Sequence, residues 1–569
     1  MQKTELKKRK MIDGPIAKQL VIFALPLMLA NLLQQLLNTT DALIVGRLIS
    51  MEALTGVTQA SRVIMVLNSL FLGIGVGAGV VISHFYGAKD KENYSKAMHT
   101  TVLAGLLLGL LVTGIGLVLT RPILGLMGLS PDSILYQYAV DYLLIYFVGV
   151  VFVFVFNMGA GILRAVGDSV SPLIFLFVAV FLNIGLTFLF LRSFNMGVIG
   201  VAVSTIISQA VATILVLLKL FLTKNDYRMS IKKLRIDKKI FVKIIRVGIP
   251  VGLHTSIISS AHIFMQRYIN GFDNFDCNCS YPYYPNILEH TLYCLTRHTP
   301  HANGVATLSK IDGFVYMPMM ALSLALTTFV GQNVGADRED RAKKAMKVTL
   351  IISMIITVIM SIVVFIVAEP LMRLVAPDIG YFYIYPNSEA IEIGLRFMRV
   401  LVFSYPILML NDIMGGSLRG AGKALVPSII LVCCMFGIRL LFLFFAIDLG
   451  GMDILAVFLT FPIAWSISSI CMTVYFFKSG LKKKERINIG NEERLREQLA
   501  QKALREVSMS PFPKQIGVER LVAKPSPVTN NEDILDVSDS GHCGAGFSDS
   551  DKSIQNDDEC DGIPPPYSH

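Results

Sequence analysis

The side chains most able to do chemistry in this chain are a few polar groups set in long apolar runs. Asp41 ends the run LPLMLANLLQQLLNTT and is followed at once by ALIVG. An acid carried into a lipid-spanning segment faces a cavity, a partner or an ion rather than acyl chains. A proton and a sodium ion can neutralise such a carboxylate in turn, which is what an ion-coupled carrier needs. The plain alternative is an ordinary acid at the outer end of a shorter helix. In the second half, Asp412 is placed to face a cavity or else to pair with a nearby base, and His254 and Gln266 to line a cavity or, for the histidine, to be buried and hydrogen-bonded. No nucleophile with a neighbouring base and no metal constellation emerges from the apolar runs, so an enzyme is not expected. Gly73, Gly75, Gly77 and Gly79 are followed by no P-loop lysine, which disfavours ATP-driven transport. Their spacing reads as a small-residue helix-packing face.

The elements that must position these groups are membrane helices. Of the 569 residues, 53% are hydrophobic and only 16% charged, a composition that would leave a soluble protein with large exposed apolar patches. Twelve runs are long enough to cross a bilayer, near 16–40, 57–83, 97–119, 136–156, 170–191, 197–222, 242–269, 305–333, 346–368, 391–413, 425–447 and 454–477. Alternate loops, counted with the N-terminus, hold 29 Lys and Arg; the opposite set holds 5. That bias predicts both termini in the cytoplasm. It also accounts for the net charge of +10 without nucleic acid. The expected organisation is an N-terminal tail (1–15), six spans (16–222), a basic linker (223–241), six more spans (242–477) and a cytoplasmic tail (478–569).

The two sets of spans are weak copies of each other. HFYGAKDKENYSKAM (84–98) is echoed by QNVGADREDRAKKAM (332–346), and GILRAVGDSVSP (161–172) by GSLRGAGKALVP (416–427). Six spans separate the copies, so both halves enter from the same side and the repeat is parallel, as in many carriers. In this register Asp412 falls on the position of Asn157, seven residues before Arg419 and Arg164 respectively. Pro26 and Pro250 lie inside the first helix of each half, where each removes a backbone hydrogen bond and favours a kink. That kink is either a gating bend or static packing.

The second copy carries an insert at 272–303, with Cys277, Cys279, Cys294, His290, His298 and His301. Its spacing matches no strong zinc pattern. It reads as an external loop or as a sequence artefact. The composition of 508–569 is too polar for a core and predicts disorder. Its end, Pro564, Pro565, Pro566 and Tyr567, is a PPxY-type polyproline ligand of the kind WW domains bind.

LPLMLANLLQQLLNTTDALIVGRL (25–48), GVGAGVVISHFYGAKD (75–90), LRAVGDSVSP (163–172), TTFVGQNVGA (327–336) and SLRGAGKALVP (417–427) together resemble the MATE (multidrug and toxic compound extrusion) transporters, especially their bacterial branches. The resemblance implies an all-α polytopic membrane protein. Two six-helix lobes would form a V around a central cavity. It further implies export of organic, often cationic compounds, driven by inward sodium ions or protons, with no other cofactor. Asp41 matches the first-helix acid of the family. FLNIGLTFLF (181–190) resembles its fifth helix, where an Asn is often followed four residues later by an Asp; here those positions are Asn183 and Thr187, so one carboxylate is missing. GVAVSTIISQ (200–209) similarly matches a sixth helix with a site threonine, here Thr205. These oxygens are either ligands beside Asp41 or helix–helix hydrogen-bond partners. The alternatives are a lipid-linked oligosaccharide flippase of the same superfamily, or a membrane scaffold or receptor that uses the PPxY tail. The plasma membrane is the expected location.

Overall fold

The computed structural model describes residues 10–127, 131–225, 227–272, 300–375 and 388–481. The chain divides into two units, Met1–Arg486 and Ile487–His569, and every described residue lies in the first. Most of the 272–303 insert, with Cys277, Cys279, Cys294, His290 and His298, lies outside the described residues. So does the PPxY motif at Pro564, Pro565, Pro566 and Tyr567.

Twelve described helices are long and apolar enough to cross a membrane. They are α1 (Ile16–Leu48), α2 (Met51–Gly87), α3 (Lys91–Leu126), α4 (Ile134–Ala165), α5 (Val170–Arg192), α6 (Gly197–Leu222), α7 (Lys238–Phe272), α8 (Pro300–Gly335), α9 (Glu339–Val375), α10 (Ser388–Gly420), α11 (Leu425–Leu449) and α12 (Leu455–Ser479). Several overrun the apolar runs that announce them, because a helix stops where its end groups are satisfied rather than where hydrophobicity fades. Ser50 caps α2 by accepting from the Ala53 amide at 3.1 Å. Asp90 caps α3 by accepting from the Asn93 amide at 3.1 Å. One consequence bears on the chemistry: α1 continues to Leu48, so Asp41 lies within the helix and not in a loop.

The outward rows of α3 (Leu107, Leu110, Leu111, Ile115, Val118) and α9 (Ile351, Ile355, Ile359, Ile362, Ile366) are exposed. Such rows belong against acyl chains. α4 and α8 are the more deeply buried helices of their halves.

The repeat is visible in backbone conformation. Gly167 and Gly422, which end the α4 and α10 turns, both take positive φ (+91° and +81°). Each amide donates to the carbonyl of the arginine before it, Arg164 or Arg419, at 2.9 Å. Lys89 and Asp337 likewise share φ values of 58° and 57° in the turns after α2 and α8. Two non-glycine residues in the same unfavoured region at matching positions mark inherited turn geometry.

Small residues let the halves meet. A Cβ on Gly77 would fall 2.6 Å from Gly248 Cα, and one on Gly252 would fall 2.8 Å from Leu70 O. Gly73 and Gly77 therefore face α7. Gly75 and Gly79, half a turn away, face the α4 backbone at Asn157 and Gly161. One helix uses two glycine faces to pack against two partners.

Candidate functional site: two polar clusters and the seam between the halves

The first cluster sits toward the α1 C-terminal end and draws on α1, α4, α5 and α6. Asn183, 1% exposed, donates its amide to Thr205 Oγ1 at 3.1 Å. Thr187, fully buried, shares a 2.6 Å hydrogen bond with Ser204 Oγ. Thr205 and Ser204 each donate to Val201 O, at 3.0 and 2.8 Å. Tyr142 stands beside Thr205 and within electrostatic reach of Asp41. Two oxygens remain buried without a donor: Asp41 Oδ1 and Asn183 Oδ1. Leaving a buried acceptor unmet costs about 1–3 kcal/mol, and more for a charged one. The structure thus brings Asn183, Thr187 and Thr205 into one network, and among the described residues no base acts on Asp41. Ser204 and Tyr142 join it unforeseen. Ser204 had a legible signal, since it neighbours Thr205 on one polar turn. Tyr142 had none, because nothing in its own sequence neighbourhood distinguishes it from a packed aromatic.

The second cluster lies on α7, α8, α10 and α11 and is built differently. Tyr405 donates to Asp312 Oδ1 at 2.7 Å. Arg439, 3% exposed, lies within electrostatic reach of Asp312, with its guanidinium 4.2 Å from the Phe461 ring centroid. Asp412 is flanked by Tyr316 and Arg419. Arg419 Nη2 donates to Ser323 Oγ at 3.0 Å. Ser323 in turn donates to the Asp412 carbonyl at 2.7 Å. His254 is buried, with Nδ1 at 3.1 Å from Ser428 Oγ and 3.2 Å from Pro250 O. The Gln266 side chain lies outside the described residues. Arg439 is a lone charge in an apolar run, the same signal that singled out Asp41, whereas Asp312 has Lys310 two residues before it and stands out less.

Pro26 is buried within α1, and Pro250 is half-buried within α7. Among the described residues, no group of three His, Cys, Asp or Glu is placed to hold a metal ion.

A seam joins the halves at the end that carries the basic loops. His84 Nε2 donates to Gly420 O at 2.7 Å, and Gln332 Nε2 donates to Ala165 O at 2.7 Å. These bonds are repeat images. His84 and Gln332 each stand three residues before the interlocked glycines Gly87 and Gly335, and Ala165 and Gly420 each follow the repeated arginine. The segment 11–14 covers this seam: Met11 and Ile12 are buried, and Arg338 Nη1 reaches Asp13 Oδ1 at 2.8 Å and Ile12 O at 2.9 Å.

Comparison with known proteins decides the family. The family described as MatE matches residues 26–189 and 301–445, more than half of the chain. The chain belongs to the MatE family. Its members are transporters, not enzymes. Among curated relatives, the probable multidrug resistance protein YoeA of Bacillus subtilis is 26% identical over 468 residues, covering 81% of this chain and 93% of that protein. YpnP of the same organism, also a probable multidrug resistance protein, is 29% identical over 416 residues, covering 73% and 84%. Among solved structures, an outward-facing multidrug resistance MATE family transporter of the MOP superfamily superposes with a TM-score of 0.73 at 20% identity, covering 84% of this chain and 99% of that one. A MOP superfamily transporter from Pyrococcus furiosus, described as having a binding pocket of reverse polarity, gives the same TM-score, identity and coverage. These likenesses establish the all-α MATE fold.

Proposed function

We propose that this MatE chain is a secondary active antiporter that exports organic, often cationic, drugs or toxic compounds in exchange for inward sodium ions or protons. The observation that carries the reading is the pair of unmet oxygens, Asp41 Oδ1 and Asn183 Oδ1, in a cluster of oxygen groups with no base. A carboxylate, an amide oxygen and hydroxyls from Thr205, Ser204 and Thr187 form a hard-oxygen set suited to sodium, and the carboxylate alone suits a proton. The multidrug resistance names of YoeA and YpnP support the choice of cargo. Substrate and cation exchange because each prefers a different arrangement of the two halves. The Lys and Arg bias of the loops supports cytoplasmic termini in the plasma membrane. With that orientation, the His84 and Gln332 seam closes the cytoplasmic side.

The test is dye efflux from proteoliposomes under separately imposed sodium and proton gradients. One gradient should drive efflux in the natural protein and fail to do so in Asp41→Asn. Gradient-driven efflux at full rate in that variant removes Asp41 from the mechanism. The flippase reading draws on the half-buried arginines Arg164 and Arg419 and the buried Arg439. Two of these already have an acid beside them, which favours the exporter. Deleting 485–569 should leave efflux intact, whereas a scaffold acting through the PPxY tail would lose its role.

A further inference from the structure

The first half holds a base without its acid. On α10, Asp412 stands two helical turns before Arg419 and flanks it. On α4 the same two positions are Asn157 and Arg164. Asn157 turns its amide to Val153 O at 2.9 Å. Among the described residues, Arg164 Nη2 is buried with no acceptor, and no carboxylate acts on it. The arginine borders a narrow cleft between α2, α4 and α8, walled by three glycines with Val76, Val80, Leu324, Thr327 and Thr328. The empty space there is about 260 Å³ with open solvent included, and its enclosed part has room for a group about the size of a water molecule. A guanidinium drawn out of water without a counter-charge favours any anion that can reach it.

We propose that this cleft binds a small monovalent anion, with Arg164 as the binding charge and the missing acid at Asn157 as the reason the site exists. The ligand is a halide ion or the carboxylate head of a transported molecule; the two share one chemistry. The site is separate from the Asp41 cluster and does not depend on cation coupling there.

The test uses the full-length protein in nanodiscs, melted in sodium chloride, sodium acetate or sodium gluconate at equal ionic strength. Chloride or acetate should raise the melting temperature over gluconate, with a saturable dose dependence. Asn157→Asp rebuilds the acid–base pair of the second half and should weaken the apparent anion affinity by at least about tenfold, since a tethered carboxylate outcompetes a free one. Should that variant not fold, Arg164→Gln carries the same expectation. Saturation by chloride but not acetate identifies an inorganic ion. Saturation by acetate, together with competition by a carboxylate-bearing dye, identifies a substrate head group. Identical melting in all three salts overturns the proposal, as does a saturable shift that persists unchanged in Arg164→Gln.

Discussion

The two halves share a backbone plan but handle buried charge in opposite ways. In the second half, Asp312 has Tyr405 and Arg439 near it, and Asp412 has Tyr316 and Arg419, although Asp412 Oδ2 is also buried without a donor. In the first half, Asp41 lies within electrostatic reach of Tyr142, and among the described residues its Oδ1 has no donor and no base acts on it. The helices that differ most are repeat partners. α5 is a regular helix carrying Asn183 and Thr187. α11, its counterpart, contains π-helical stretches at Cys433–Ile438 and Phe444–Leu449, on either side of the segment that begins with Arg439. Such stretches widen a helix by one residue per turn and re-aim the side chains beside them. The contrast teaches that a duplicated carrier can specialise. Under the proposed exchange, the second copy would keep a base beside each of its acids, and the first would leave a carboxylate to be neutralised by the coupling ion.

The largest effect expected from that contrast is on transport. Asp41→Asn should abolish gradient-driven efflux, while Asp312→Asn should retain it, because the second acid already has an internal counter-charge. Parallel efflux rates in proteoliposomes check this, with detergent size-exclusion profiles confirming that both variants fold. Next in size is stability. Arg439→Leu removes the base nearest Asp312, which keeps its Tyr405 hydrogen bond, and should cost about 1–3 kcal/mol. Adding Asp312→Asn should restore most of the loss, and urea or thermal unfolding of the single and double variants checks both. A smaller, symmetric effect is expected at the seam. His84→Ala and Gln332→Ala each remove one repeat-related hydrogen bond and should each shift the closed population by about 1 kcal/mol, or roughly fivefold. Spin-label distances across the seam would read equal shifts; a large effect at only one site would break the symmetry. The smallest effect is at Thr187→Val, which leaves Ser204 bonded to Val201 O. It should weaken apparent cation affinity by no more than about tenfold, read from the cation dependence of efflux.

Much of the fold was legible in the residues because lipid leaves few choices. A chain with twelve apolar runs must satisfy its backbone within helices, and the charge bias of its loops orders them. The repeat was legible because turn geometry demands particular residues: Gly167 and Gly422 carry the positive φ that their shared motif requires. Helix ends were less legible. Ser50 and Asp90 extend α2 and α3 through single capping bonds, which hydropathy does not register. In the candidate site, Asp41 stood out as a charge among apolar neighbours. Asn183 and Thr205 needed the family likeness to be noticed, since amides and hydroxyls are common in membrane helices. Tyr142 and the pairing of Asp312 with Arg439 depend on which helices touch, and no local pattern encodes that contact.

Cation binding by the purified protein tests the central claim most directly. Equilibrium binding of radioactive sodium, with potentiometric recording of proton exchange in the same sample, counts the sites whichever cation is used. The account predicts one site in the natural protein, lost in Asp41→Asn and retained in Asp312→Asn and Asp412→Asn. Binding that survives Asp41→Asn and disappears in Asp312→Asn or Asp412→Asn would contradict it.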